Sequence, residues 1–246
     1  MVRTTKKLLI SNLCFAICFS LLFMLYCGMT ETVFKRMQTY IENHEVANSL
    51  TSKLIVLDAG HGGEDGGTVG TNGIYEKELN LDMTEALDAY LRFAGFEVVQ
   101  TRTEDVLLYD RNVDFRGRKK ILDLVARYKI AEALMPDLFV SVHMNAFPDG
   151  RYSGLTVYYS PNNSKSYDAA EKIRADVVEK IQHDNRRELK KAGSNIYLLN
   201  RLHCPSVLVE CGFLSNKEEC AKLSTEEYRH KLSLVLFSSI SSFFDE

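Results

Sequence analysis

The sequence lacks the short motifs that mark several common classes of protein. Its six cysteines contain no Cys-x-x-Cys pair, which argues against a zinc site built from cysteine thiolates. Neither Gly-x-Gly-x-x-Gly nor Gly-x-x-x-x-Gly-Lys-Ser/Thr occurs, so no nucleotide-binding phosphate loop is indicated. Gly-x-Ser-x-Gly is also missing, and the serine hydrolases that carry it are therefore not expected. Cys204, Cys211 and Cys220 are interpreted as mostly reduced, buried apolar residues, although one disulfide among them stays open.

An excess of positive charge is missing as well. The 246 residues have a formal net charge of −3 at pH 7, and three of the basic residues, Arg3, Lys6 and Lys7, lie near the N-terminus. The remaining body is mildly acidic, which makes it a poor electrostatic match for nucleic acid. We therefore expect no nucleic-acid partner. With 46% hydrophobic and 26% charged residues, the composition is that of an ordinary globular protein.

The N-terminal segment has the pattern of a membrane anchor. Residues 8–30 contain no charged side chain and follow a basic N-terminus. A helix needs about 20 apolar residues to cross a bilayer, and the preceding lysines favour a cytoplasmic N-terminus with the body outside the membrane. A cleaved signal peptide, which would leave a secreted protein, is the alternative, but bulky residues stand where a cleavage site needs small ones. The expected organisation is a cytoplasmic segment over 1–7, an anchor or uncleaved signal over 8–30, a stalk over 31–52 and one folded domain over 53–246.

The body alternates short apolar segments with segments of helical periodicity. Strands are predicted at Lys53–Asp58, Phe96–Thr101, Leu138–His143, Gly154–Tyr159 and Pro205–Glu210. Helices are predicted at Glu76–Ala94, Ile121–Leu134, Ser166–Asp184 and Glu226–Phe244. This alternation indicates an α/β domain in which helices cover both faces of a sheet. No internal repeat and no low-complexity segment interrupts it.

Two histidines stand where predicted strands end. His61 lies in the glycine-rich segment Asp58–Gly67, directly after one strand, and His143 closes the strand Leu138–His143. Ligands of open α/β sheets bind at the carboxyl ends of the strands, and neutral imidazole is a good zinc ligand. Either histidine alone could be structural, but two of them on neighbouring strand ends favour a metal site.

Acidic residues could complete such a site. Glu76 begins a predicted helix just after the glycine-rich segment, and Glu78 is its rival, because residues two positions apart on a helix point in different directions. Alternatively, both acidic side chains could serve only to stabilise the N-terminus of the helix through its dipole. Glu210 ends an apolar strand, where an unpaired charge is costly, so it could form a salt bridge or move a proton at a metal site. His203, in a loop, is a spare ligand.

Five segments, taken in order, resemble the zinc-dependent N-acetylmuramoyl-L-alanine amidases of the amidase 3 type. They are LIVLDAGHGGEDGG (54–67), GIYEKELN (73–80), TRTED (101–105), LFVSVHMNAF (138–147) and PSVLVECGFLSN (205–216). The resemblance covers roughly Lys53–Phe244, nearly the whole body. Any one segment is weak, but all five in this order are highly specific.

The resemblance implies a fold, a site and a substrate. The fold would be a single α/β domain with a mixed, mostly parallel six-stranded sheet. His61, Glu76 and His143 would bind Zn²⁺, and Glu210 would be the catalytic carboxylate. Glu76 is preferred over Glu78, because the family's ligand directly precedes the lysine of Glu-Lys. The implied substrate is peptidoglycan, a glycan strand with its stem peptide, cut at the amide that joins the muramic acid lactyl group to L-alanine.

Within this family the chain looks most like the short, membrane-anchored sporulation form, which has no appended wall-binding repeats. That likeness implies a role in forming muramic-δ-lactam in the spore cortex for germination, and an activating protein partner is a further hypothesis. Two departures, the basic run Arg116–Lys120 and Ala131-Glu132 in place of Ala-Asn, put substrate contacts rather than chemistry in doubt. A zinc peptidase acting on stem peptides and a non-catalytic peptidoglycan-binding module stay open as alternatives.

Overall fold

The computed structural model describes residues 53–245, with the exception of 111 and 113–116. The elements in this part of the chain are β1 (Leu54–Ala59), α1 (Glu76–Phe93), β2 (Glu97–Gln100), α2 (Lys119–Leu134), β3 (Leu138–Asn145), β4 (Thr156–Tyr159), α3 (Lys165–Lys180), β5 (Lys190–Lys191), β6 (Ser206–Phe213), α4 (Lys217–Leu223) and α5 (Glu226–Phe244). The predicted anchor over 8–30 and stalk over 31–52 lie outside the described residues. Among the helices that are described, none combines the length and the apolar character needed to span a bilayer.

The strands form one mixed, six-stranded sheet in the order β2-β1-β3-β6-β4-β5. Strands β2, β1, β3 and β6 are parallel to one another, whereas β4 runs antiparallel to β6 and carries β5 parallel to itself. The expected single α/β domain with a mixed, mostly parallel sheet is confirmed. Because β1, β3 and β6 are adjacent and parallel, the residues at their carboxyl ends meet at one edge of the sheet.

Helices cover both faces of the sheet, as expected. Helices α1, α3, α4 and α5 pack on one face, against side chains that include Ile55 and Leu57 of β1. Helix α2 and residues 196–202 pack on the other face, against Val56 and its neighbours. Successive residues of a strand point to opposite faces, so both sets of side chains are buried. This explains why the strands read as continuous apolar runs.

Two short elements were not predicted from the sequence. Strand β5 consists of the exposed pair Lys190–Lys191, which gives no apolar signal. Helix α4, Lys217–Leu223, is only two turns long and is capped by Asn216, whose side chain accepts hydrogen bonds from two backbone amides of the first turn. Predicted helix ends were also inexact, since α3 ends at Lys180 rather than at Asp184.

The three cysteines of the described domain have free thiols. Cys211 and Cys220 are fully buried, and Cys204 is half-buried. Burial raises the pKa of the Cys211 thiol above its ordinary value. The expected burial is confirmed for Cys211 and Cys220, and among the described residues none of the three cysteines is paired in a disulfide.

Candidate active site

The two predicted histidines lie side by side at the sheet edge. His61 follows β1 and His143 lies near the end of β3, and their ring centroids are 5.0 Å apart with the ring planes at 77°. The amide of Gly60 donates to the carbonyl of Val142 at 3.1 Å, which ties the loop after β1 to β3. The structure therefore brings the two imidazoles close enough to bind the same metal ion.

Glu76 supplies a third side chain at the same place. Among the described residues, His61, Glu76 and His143 form the group that could hold a metal ion, with their ligand atoms within 4.8 Å of one another. The rival Glu78 is exposed and does not join the group. The spare histidine, His203, is exposed in the loop before β6 and does not join it either.

Backbone amides fix the Glu76 carboxylate, which is only 3% exposed. The amide of Met144 donates to its Oε1 at 3.1 Å, and the amide of Thr68 donates to its Oε2 at 2.8 Å. Burial alone raises the pKa of Glu76, but the neighbouring imidazoles of His143 and His61 outweigh it and hold that pKa well below its ordinary value. Glu76 is therefore an anion placed between two possible cations.

The spacing of Glu76 from each of the two histidines fits zinc. Oε1 of Glu76 lies 3.2 Å from Nε2 of His61 and 3.0 Å from Nδ1 of His143. Ligands at about 2.0–2.1 Å from a tetrahedral zinc ion are about 3.3 Å apart. Two imidazole nitrogens and one carboxylate oxygen are a donor set of catalytic zinc sites, which leave one position open. A cavity of about 390 Å³ borders all three residues and offers room for substrate.

Asp65 orients His61, and the sequence analysis missed it. Its Oδ2 lies 2.9 Å from Nδ1 of His61, and its Oδ1 lies 3.1 Å from Nζ of Lys120. A carboxylate on the far ring nitrogen fixes the tautomer and leaves the other nitrogen free to bind a metal. Burial lowers the pKa of His61, but Glu76 and Asp65 outweigh it and raise that pKa. An acid four residues after a histidine was the only signal that the sequence offered.

Two glycines provide the space that the ligands need. A Cβ on Gly60 would lie 2.2 Å from Cε1 of the His143 imidazole, and a Cβ on Gly67 would lie 2.6 Å from Oε2 of Glu76. Gly67 also has a φ of +67°, a conformation that L side chains rarely adopt. The glycine-rich segment is thus required by close packing around the site.

Glu210 lies next to the group on the neighbouring strand. It is in register with His143 across β6 and β3, and it lines the 390 Å³ cavity. Its Oε2 is buried and has no hydrogen-bond partner among the described residues. Burial raises the pKa of Glu210 to about 7, so its carboxyl group can gain or lose a proton near neutral pH. In the part of the chain that the structure describes, the alternative of a structural salt bridge finds no partner.

Comparison with known proteins decides the family. The family model for N-acetylmuramoyl-L-alanine amidase matches residues 55–242. The chain belongs to this family. The match spans the sheet edge and every predicted site residue, so both the predicted family and the predicted enzyme class are confirmed.

Individual members of the amidase family are similar to this chain over most of its length. The germination-specific N-acetylmuramoyl-L-alanine amidase of Bacillus subtilis (strain 168) is 32% identical over 197 residues, which are 80% of this chain and 82% of that protein. The CwlD amidase from Clostridioides difficile, solved in complex with the GerS lipoprotein, is 34% identical with a TM-score of 0.75, over 79% of this chain and 99% of that one. The catalytic domain of CwlV from Bacillus (Paenibacillus) polymyxa is 30% identical with a TM-score of 0.67, over 78% and 98% of the two chains. The expected similarity to the germination-specific amidases is confirmed.

Proposed function

We propose that the chain hydrolyses the amide between the lactyl group of N-acetylmuramic acid and L-alanine of the stem peptide. In this proposal His61, Glu76 and His143 hold Zn²⁺, and Glu210 is the catalytic carboxylate. The supporting observation is the juxtaposition of three potential ligands with a buried, unpartnered carboxylate oxygen beside them. Family membership supports the same reaction.

The side chains would divide the chemistry as follows. Zinc, when bound, supplies Lewis-acid polarisation of the scissile carbonyl and lowers the pKa of an attacking water. Glu210 accepts a proton from that water and then donates it to the departing nitrogen of L-alanine. The products are a free lactyl carboxylate and a stem peptide with a new amino group. Asp65 keeps Nδ1 of His61 engaged, so that Nε2 would be the nitrogen left to hold the ion.

The proposal also covers where and with what the protein acts. Residues 8–30 would anchor it in the membrane, with 31–52 as a stalk and 53–246 as the zinc amidase domain on the extracytoplasmic side. The relative named for germination supports a role in that process. In the proposal that role is muramic-δ-lactam formation in the spore cortex. The CwlD amidase is described in complex with a lipoprotein, which supports an activating protein partner here.

Mass spectrometry of peptidoglycan fragments tests the reaction. Full-length protein and zinc should release stem peptides that begin with L-alanine and leave free lactyl carboxylates on the glycan. New ends inside the stem peptide would indicate the zinc peptidase instead. If zinc-loaded protein gave neither product, the proposal would be contradicted.

A matched pair of glutamate variants tests the role of Glu210. Glu210→Gln should retain zinc and lose activity by about 10²- to 10⁴-fold, the usual contribution of a general acid–base group. Glu218 is exposed on α4, so Glu218→Gln should cut at the wild-type rate. Near-normal activity of Glu210→Gln would assign the proton transfer to another group.

A further inference from the structure

Two buried arginines hold the backbone that carries the candidate ligands. Arg102 directly follows Thr101 after β2 and is 3% exposed, and Arg127 lies on α2 and is 1% exposed. Both guanidinium groups reach the loop after β1, where the carbonyls have left the ladder of the sheet. Buried carbonyls of this kind need donors from elsewhere.

Arg102 bridges the two segments that carry His61 and Glu76. Its Nη2 donates to the carbonyl of Gly60 at 3.0 Å and to the carbonyl of Lys77 at 2.9 Å. Gly60 directly precedes His61, and Lys77 directly follows Glu76. One guanidinium group therefore fixes the separation between the loop after β1 and the first turn of α1.

Arg127 holds the backbone of His61 itself. Its Nη2 donates to the carbonyl of His61 at 2.6 Å, and its Nη1 donates to the carbonyl of Ala59 at 2.7 Å. His61 has a φ of +62°, a left-handed conformation that is uncommon for a residue with a Cβ and that its surroundings must stabilise. The fork of Arg127 provides that constraint on both sides of Gly60.

Arg127 has charged partners in this network, and Arg102 has neutral ones. Arg127 pairs with Asp58 and Asp123, both at 2.7 Å, whereas the donors of Arg102 described above go to backbone carbonyls. Burying a guanidinium group is costly unless its hydrogen bonds are satisfied. The planar fork of arginine reaches two acceptors at once, which lysine cannot reproduce.

We propose that Arg102 and Arg127 are positioning residues of the metal site. Arg102 sets the separation of His61 and Glu76 by bridging the carbonyls of Gly60 and Lys77. Arg127 holds the backbone of His61 in its left-handed conformation. This inference rests on the proposed function, because it requires that an ion binds between His61, Glu76 and His143.

The test compares lysine variants of the two buried arginines and of one partly buried arginine in the full-length chain, purified in mild detergent. Arg102→Lys and Arg127→Lys remove the fork and keep the charge, and Arg229→Lys is the matched control. Arg229 donates to Asp82 and to the carbonyl of Leu223, away from the candidate ligands. Zinc affinity is measured by chelator competition, the ligand geometry by the absorption spectrum of bound Co²⁺, and the fold by circular dichroism and thermal unfolding.

The expected result is specific to the metal. Arg102→Lys and Arg127→Lys should lose about 10- to 100-fold in zinc affinity, the usual cost of disturbing outer partners of a metal site. Their cobalt spectra should change, and their activity should need more zinc to saturate. Arg229→Lys should keep the wild-type affinity and spectrum even where its unfolding temperature falls.

Other outcomes separate this inference from the proposed function. Folded Arg102→Lys and Arg127→Lys that bind zinc within about threefold of wild type would overturn the positioning role, because outer partners normally contribute more. An equal loss of affinity in Arg229→Lys would overturn it too. If the wild-type chain binds no zinc, it is the proposed function that fails. Where a lysine variant does not fold, the glutamine variant at that position, which keeps a neutral side-chain amide with N–H donors, takes its place in the comparison.

Discussion

Glu76 lies where an isolated carboxylate would be costly. Two backbone amides and two imidazoles lie within hydrogen-bond distance of it, and a bound cation would compensate its charge further. Glu78, two positions along the same helix, is exposed to solvent. The pair therefore offers a test in which the same substitution is made on two sides of one helix.

Glu76→Gln should lose zinc, and Glu78→Gln should not. The amide keeps the size of the side chain but removes the anionic donor, so we expect zinc affinity to fall by more than about 100-fold, beyond the effect of outer partners. Amidase activity should disappear with it. Chelator competition and fragment analysis measure both, and wild-type affinity in Glu76→Gln would remove this residue from the ligand set.

Glu210 should make the stability of the metal-free protein depend on pH. Burial raises its pKa from the ordinary 4.5 to about 7, so the folded state keeps a proton that the unfolded state has already lost between these values. Stability is therefore lost as the pH rises through this range. Relative to Glu210→Gln, the wild-type unfolding temperature should fall between about pH 5 and about pH 8.

The control for this pH effect is the exposed Glu218. In the presence of a chelator, Glu218→Gln should follow the wild-type profile at every pH. If the unfolding temperatures of Glu210→Gln and wild type differed by the same amount at every pH, the pKa of the Glu210 carboxyl would not be raised by folding. That result would remove the reason to assign proton transfer to it at neutral pH.

At the scale of elements, the turn after β1 packs against the His143 ring at Gly60, where there is no room for a side chain. Gly60→Ala would place a Cβ 2.2 Å from the His143 ring, so the histidine must move and zinc affinity should be lost. Gly73→Ala is the control, because Gly73 has a φ of +89° but no atom near its Cβ position. It should cost about 1 kcal/mol in stability and leave zinc binding intact. Unchanged zinc affinity in Gly60→Ala would contradict the close packing described here.

Helix α2 ends in a strained residue that can be relieved. Met135 is its C-cap, with a φ of +45°, and its side chain is 82% exposed. Met135→Gly should stabilise the protein by about 0.5 kcal/mol, because relief of the left-handed strain exceeds the added freedom of the unfolded chain. Met135→Ala keeps the strain and should change little. Thermal unfolding measures both, and a destabilised glycine variant would contradict the prediction.

Elements with a continuous or periodic pattern of apolar residues could be predicted from the sequence, and elements without such a pattern could not. Strands β1, β3 and β6 were found because they are buried on both faces, which writes continuous apolar runs into the sequence. Strand β5 is two exposed lysines and depends on pairing with β4 alone. Helix α4 has a cap at Asn216 that sequence could have revealed, but two turns are too short for a periodic pattern.

At the scale of the whole molecule, topology gathers the site from distant positions. The candidate metal ligands could be predicted because a histidine or glutamate at the end of a predicted strand or helix is recognisable in the sequence alone. Asp65, Arg102 and Arg127 could not, because their roles depend on which carbonyls and ring nitrogens face them after folding. Apart from the four-residue spacing between His61 and Asp65, the sequence gives no sign of these partners.

Zinc binding should couple to protons in the intact protein. The pKa of His61 is raised above its ordinary 6.5, and an imidazole must lose its proton before it binds a metal. Zinc affinity should therefore fall as the pH drops through neutrality. Calorimetry in buffers of different ionisation enthalpy should detect proton release on binding near pH 7, and binding without proton release would contradict the raised pKa.

The most direct test of the account is a crystal structure of the full-length chain grown with zinc, with diffraction recorded on both sides of the zinc absorption edge. The account predicts one strong anomalous peak between Nε2 of His61, Oε1 of Glu76 and Nδ1 of His143, with Glu210 beside it. A zinc ion bound by other residues, or no peak at this edge of the sheet, would contradict it.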